Sequence, residues 1–103
     1  MIDDRYTVII RHKAEEMLYD HVEFVGRVSV SAARDLRVTL YNAITSLDKM
    51  PFRCPQYSSK RTSDNYRQLI VGRYKVIFTI SERDKVVKVR YILDSRRRND
   101  IEE

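Results

Sequence analysis

Several things are scarce in this sequence, and each shortage removes a class of protein. There is one cysteine, Cys54, which excludes an internal disulfide framework and a cysteine-based zinc site. No apolar run approaches the ~20 residues that a membrane-spanning helix needs, which excludes a transmembrane protein. The opening MIDDRYTVIIRHK begins acidic, and its apolar stretch is too brief for a secretory signal. A reduced, cytoplasmic setting is therefore expected, with no membrane partner. There are no internal repeats, and no biased tract beyond Arg96-Arg97-Arg98. Nothing in the sequence calls for a metal or a cofactor.

What remains is a chain of 103 residues, 43% hydrophobic and 34% charged. That is too apolar for a disordered chain and too short for two comfortable domains, so residues 1–103 are expected to form one. The formal net charge is +5. It is not evenly spread. Residues 1–52 hold seven Lys or Arg against eight Asp or Glu, whereas residues 53–103 hold thirteen against seven. A positive second half attracts phosphates or acidic protein surfaces.

Hydrophobic periodicity divides the chain into elements. Tyr6 to Arg11 is β-rich, with Val8 and Ile10 alternating, and His12 and Lys13 break that pattern. Ala14, Met17, Leu18, His21, Val22, Val25 and Val28 then fall on one helix face. Ser29 or Ser31 caps a second helix, whose stripe is Ala33, Leu36, Leu40, Ala43, Ile44 and Leu47, and Pro51 closes it. The short connection predicts an antiparallel helix hairpin. Residues 51–65 hold both prolines and a polar cluster and read as a loop, carrying Arg53, Lys60 and Arg61. Three strands follow, over 66–71, 74–81 and 86–95. Gly72-Arg73 suits a type II′ turn between the first two. The expected fold is α+β, with the helix hairpin packed on a small, mainly antiparallel four-stranded sheet.

The turns imply a register. Val71 pairs with Tyr74 and Leu69 with Val76. Across the next turn Ile80 pairs with Val87, Phe78 with Val89, Val76 with Tyr91, and Tyr74 with Leu93. All these side chains then share one apolar face against the helices. The opposite face holds Gln68, Ile70, Lys75, Ile77, Thr79, Lys88, Arg90 and Ile92, with Arg96 continuing the parity. Three of those eight are basic and none is acidic. Such a face suits a polyanion, or it is a solvated face whose cations discourage edge pairing.

The order, spacing and length of these elements resemble the RelE/ParE family of toxins from type II toxin–antitoxin systems. The resemblance is carried by YRQLIVGRYKVIFTI and VVKVRYILDSRRR, in particular Arg67, Leu69, Val71, Gly72, Tyr74 and Lys75, then Ile92, Leu93, Arg96 and Arg97. It implies a cognate antitoxin whose tail wraps the toxin. It also implies one of two activities. RelE-like members cleave messenger RNA on the ribosome, and ParE-like members poison DNA gyrase without being nucleases.

RNA cleavage by a 2′-hydroxyl needs a base, a cationic clamp for the phosphate and an acid for the leaving oxygen. By resemblance, Lys75 and Arg96 occupy positions where RelE-like nucleases hold catalytic arginines. Lys60, Arg61, Arg67, Arg73, Lys88, Arg90, Arg97 and Arg98 would steer RNA or bind another target. Lys75 keeps the charge of arginine and loses its bidentate fork. The segment after Arg96 has no Tyr or His where those nucleases place one. Tyr91 has inward parity in this register, Tyr57 lies in the loop, and Tyr74 belongs to the core. His21 reads as a packed residue, Cys54 as a structural thiol, and Met17 and Met50 as core filler. The expectation is a toxin that cleaves mRNA on the ribosome, with a gyrase inhibitor as the alternative and a non-toxic nucleic-acid-binding module as the third reading.

Overall fold

The computed structural model describes residues 4–57 and 65–96. The chain opens with β1 (Thr7–Ile10) and passes directly into α1 (His12–Gly26) and α2 (Val30–Thr45). Single 3-10 turns follow at Ser46–Asp48 and Pro51–Arg53, then β2 (Arg67–Val71), β3 (Tyr74–Ser81) and β4 (Val86–Asp94). The four strands form one sheet in the order β1-β4-β3-β2. β1 runs parallel to β4 and the other neighbours are antiparallel. Two helices on a mixed sheet make the expected α+β architecture. No helix among the described residues is long and apolar enough to cross a membrane.

Local chemistry explains the helix boundaries. His12 breaks the strand pattern by starting α1, two residues before the apolar stripe begins, and it meets Glu16 one turn on at 3.1 Å. Of the two serines, Ser29 is the cap of α2. Its backbone is extended and its hydroxyl accepts from the Ala32 N–H at 3.1 Å. At the hairpin bend a Cβ on Gly26 would stand 3.5 Å from Ala33 Cβ, so the helices approach closely there. α1 ends at Gly26, which leaves Val28 in the connection, 91% exposed and not on the core face.

The core lies between the hairpin and one sheet face. Ala14, Leu18, Leu40, Ile44 and Leu47 come from the helical side. Tyr74, Val76, Phe78, Val87, Val89 and Ile92 come from the strands. Met17 packs against this core, but Met50 is 74% exposed and is not core filler. Cys54 is buried within the cluster. Burial pushes its thiol pKa up, outweighing the lowering effect of the Arg53 and Arg67 guanidiniums, which is the behaviour of a structural thiol.

Gly72 takes a positive φ of 59° as the first turn residue, and Val71 pairs with Tyr74. Ile80 pairs with Val87 and Phe78 with Val89, as the turns require. Beyond that point the sequence-based register fails. Ile77 pairs with Tyr91, leaving Arg90 as an unpaired extra residue, so β4 contains a bulge. Val76 therefore faces Ile92 and Tyr74 faces Asp94, in place of Tyr91 and Leu93. Ile92 and Asp94 turn toward the helices, and Tyr91 and Leu93 turn to the opposite, outer face.

β1 is short and pairs with β4 only as far as Val89. The remaining edge of β4 is met by α1, where the His21 Nε2 hydrogen donates to the Ile92 carbonyl at 2.7 Å. The His21 ring lies 5.1 Å from that of Tyr74. His21 is thus a buried residue that satisfies a strand carbonyl otherwise lacking a ladder partner.

Candidate functional site: the outer face of the sheet

Alternation along β3 puts Lys75, Ile77 and Thr79 on the outer face. β4 contributes Lys88, then Arg90 at the bulge, then Tyr91 and Leu93. β2 contributes Gln68 and Ile70. The face is not uniformly polar. Tyr66, Ile77 and Leu93 form a second buried cluster, with Tyr57, Tyr91 and Met17 packed against it. The Tyr66 and Tyr91 rings meet edge to face at 6.1 Å. Ile70 is 55% exposed beside this apolar centre. Lys75, Lys88 and Arg90 surround it, so the face has an aromatic middle and a cationic margin.

The bulge redistributes the residues expected to act together. Lys75 stays on the outer face, paired with Leu93. Asp94 is carried inward, where it is 3% exposed. Arg96 turns back onto it. Its backbone N–H donates to Asp94 Oδ1 at 3.0 Å, and its Nε lies 3.7 Å from the same oxygen. Burial alone would raise the Asp94 pKa, but the Arg96 hydrogen bonds and the Arg96 and Arg73 charges outweigh it and hold the carboxyl below its usual range. Arg96 lies in the turn past the end of β4 and is held to the inward-facing Asp94, whereas Lys75 stands on the outer face. Tyr91 moves the other way. It joins Lys75 on the outer face, one diagonal step away across the β3–β4 ladder.

This framework of a helix hairpin on a four-stranded sheet recurs in known proteins. A family model described as the ParE toxin of the type II toxin–antitoxin system parDE matches residues 8–99. The chain belongs to this toxin family. Solved structures of the same fold include the chromosomal ParDE toxin–antitoxin system from P. aeruginosa, with TM-score 0.71 and 13% identity over 89% of this chain and 98% of that one. The RelBE2 toxin–antitoxin complex from Mycobacterium tuberculosis has TM-score 0.61 and 18% identity, covering 87% of this chain and 91% of that one. The archaeal RelE–RelB complex from Pyrococcus horikoshii OT3 has TM-score 0.58 and 18% identity, covering 88% and 96%. No curated protein matches the chain in sequence.

The other cations named from the sequence of this toxin have separate places. Arg67 has the inward parity of Phe78 and braces the connecting segment. Its Nη1 donates to the Cys54 carbonyl at 2.6 Å, and its guanidinium lies 5.0 Å from the Phe52 ring centre. Arg73 lies in the β2–β3 turn, over the Tyr74 ring at 5.7 Å. Its carbonyl accepts from the Ser95 N–H at 2.7 Å and the Ser95 hydroxyl at 2.6 Å, tying turn to strand end. Lys60, Arg61, Arg97 and Arg98 lie outside the described residues. Sequence reasoning missed Tyr91 as an outer-face residue and Asp94 as the partner of Arg96. The ladder register was needed to see both. No group of His, Cys, Asp or Glu among the described residues is placed to hold a metal ion.

Proposed function

We propose that this toxin disables its target by binding it, as a ParE-type inhibitor of DNA gyrase held in check by an antitoxin. One observation carries this reading: the outer face has an aromatic and aliphatic centre with a margin of Lys and Arg. Interfaces between proteins favour that arrangement, with Tyr and Arg enriched and acidic groups depleted. Phosphate cleavage asks instead for cations converging with an acid and a base, whereas Arg96 is engaged with the inward-facing Asp94.

A second reading is RNA cleavage on the ribosome, and the outward turn of Tyr91 favours it. That turn puts a phenol on the same face as Lys75, where the sequence alone offered none.

Two measurements separate the readings. Purified toxin is added to a gyrase supercoiling assay, and cellular mRNA is mapped by primer extension after induction. The proposal expects supercoiling to stop with mRNA intact, and Tyr91→Phe to retain inhibition within about threefold. Cuts within translated codons that drop at least tenfold in Tyr91→Phe or Lys75→Ala would overturn it.

A further inference from the structure

The helix hairpin has a second face, turned away from the sheet, and its pattern is as regular as that of the core. On α1, His12, Glu16, Tyr19 and Glu23 are exposed at the spacing i, i+4, i+7, i+11. On α2, Arg34, Val38, Tyr41 and Thr45 repeat that spacing, and of these only Tyr41 is half-buried. Residues so spaced form one stripe along a helix, and paired stripes are the geometry from which four-helix bundles are built. Large apolar side chains stand in the middle of each stripe, Tyr19 at 66% exposed and Val38 at 58%. Neither belongs to the core.

The two helices differ in charge. α1 carries Glu15, Glu16, Asp20 and Glu23 against one formal cation, Lys13, whereas α2 carries Arg34 and Arg37 against Asp35. Little of this charge is neutralised between the helices. Glu16 and Glu23 meet partners on their own helix, His12 at 3.1 Å and Arg27 at 3.4 Å. Among the described residues Arg34 forms no ion pair. Arg37 lies 5.8 Å from the Tyr41 ring centre and makes no ion pair with Glu15, although both line the groove between the helices.

We propose that this face pairs with a second copy of the chain. Charge complementarity selects that occupant and its orientation. A two-fold axis parallel to the helices lays α1 of each copy along α2 of the other, so the acidic stripe meets the cationic one twice. An axis across the helices would stack α1 on α1, where the acids repel one another. Rotation about an axis along the helices keeps every residue at its own level. Tyr19 shares a level with Arg37 and Tyr41 in the groove of one copy. Tyr19 therefore meets Val38 of the second copy, and Glu23 meets Arg34 of the second copy one turn nearer the hairpin bend.

The pair is layered as sheet, hairpin, hairpin, sheet. The two outer faces then point in opposite directions and both stay open, since the hairpin stripes share no residue with the outer face. One particle thus presents that face twice, and a target with two matching sites is bound more tightly than by a single copy.

Sedimentation equilibrium of the full chain, over a range of protein and salt concentrations, tests this. The unaltered chain is expected to dimerise reversibly, and more weakly as salt rises. Glu23→Arg and Arg34→Glu each set like charges at both contacts, and each should weaken dimerisation about tenfold or more. Mixed in equal amounts, the two variants set Arg against Glu at both contacts, and association should return to within about threefold of the unaltered chain. Arg83→Glu makes the same charge change in the exposed β3–β4 turn, off the hairpin and off the outer face, and should alter the constant by less than about twofold. Circular dichroism of each variant checks that its helices are kept, and a variant that had lost its fold would not be rescued by mixing. A chain that stays monomeric at every concentration overturns the proposal. So do single variants that dimerise like the unaltered chain, and a mixture that stays monomeric.

Discussion

The two faces of this sheet are built from the same strands, yet they obey different rules. The inner face is an apolar layer in which Val76, Phe78, Val87, Val89 and Ile92 are fully buried against the hairpin, with charge only at its margins, in Arg67 and Asp94. The outer face buries only a small centre of Tyr66, Ile77 and Leu93, and surrounds it with cations and partly exposed tyrosines. Stability is concentrated on the first face. The second is where side chains are at liberty to meet another molecule. A core face tolerates few residue types at any position, whereas a binding face tolerates many and is defined by which of them lie side by side.

The difference can be tested directly, beginning with the largest effect. Phe78→Ala on the inner face should cost about 3–5 kcal/mol, through lost burial and the cavity left behind. Lys88→Ala on the outer face should change stability by less than about 0.5 kcal/mol. Urea unfolding of both variants checks the contrast, and equal losses would erase the distinction between the faces. His21→Ala comes next. It leaves the buried Ile92 carbonyl without its 2.7 Å donor, and an unsatisfied buried group costs about 1–3 kcal/mol. Amide hydrogen exchange should accelerate in the second half of β4 more than in its first half, where β1 supplies the ladder.

The smallest effect is a pH dependence at the strand end. The Asp94 carboxyl titrates below its usual range in the folded protein, because Arg96 and Arg73 outweigh its burial. Its contribution to stability is therefore fully present above the unfolded carboxyl value near 4 and is lost as pH falls through the lower folded value. Asp94→Asn removes that dependence. Tm curves of the two proteins should separate near neutral pH and converge on acidification. Curves that stay parallel would show that the Asp94–Arg96 pair adds nothing.

Much of this architecture was legible in the sequence, for identifiable reasons. The helix stripes, the Ser29 cap and the Gly72 turn each rest on local chemistry, and local chemistry survives folding. The register was legible as far as Phe78 and Val89 because both turns constrain it there. Past Val89 nothing in the pattern chooses. Ile92 and Leu93 are both aliphatic, so either register buries one of them, and Arg90 is equally at home in a ladder or a bulge. Tyr91 was misplaced for that reason, and the candidate site with it. Met50 and Val28 were misread because periodicity does not register where a helix stops and a strained turn begins. The Asp94–Arg96 contact was invisible for a related reason: the facing of Asp94 depends on the register shift, and no side-chain pattern announces it.

The bulge also makes β4 a strand with one residue to spare. Lifting Arg90 out of the chain would join Val89 to Tyr91 in an unbroken ladder, with Tyr91, Ile92, Leu93 and Asp94 each keeping its present side. Removing a neighbour such as Lys88 would not be forgiven in this way, since the phase of every residue between it and the bulge would invert. Position 90 is thus a place where the gene can lose a codon and the outer face can keep its layout with one cation fewer, a tolerance that the middle of a β-strand seldom has.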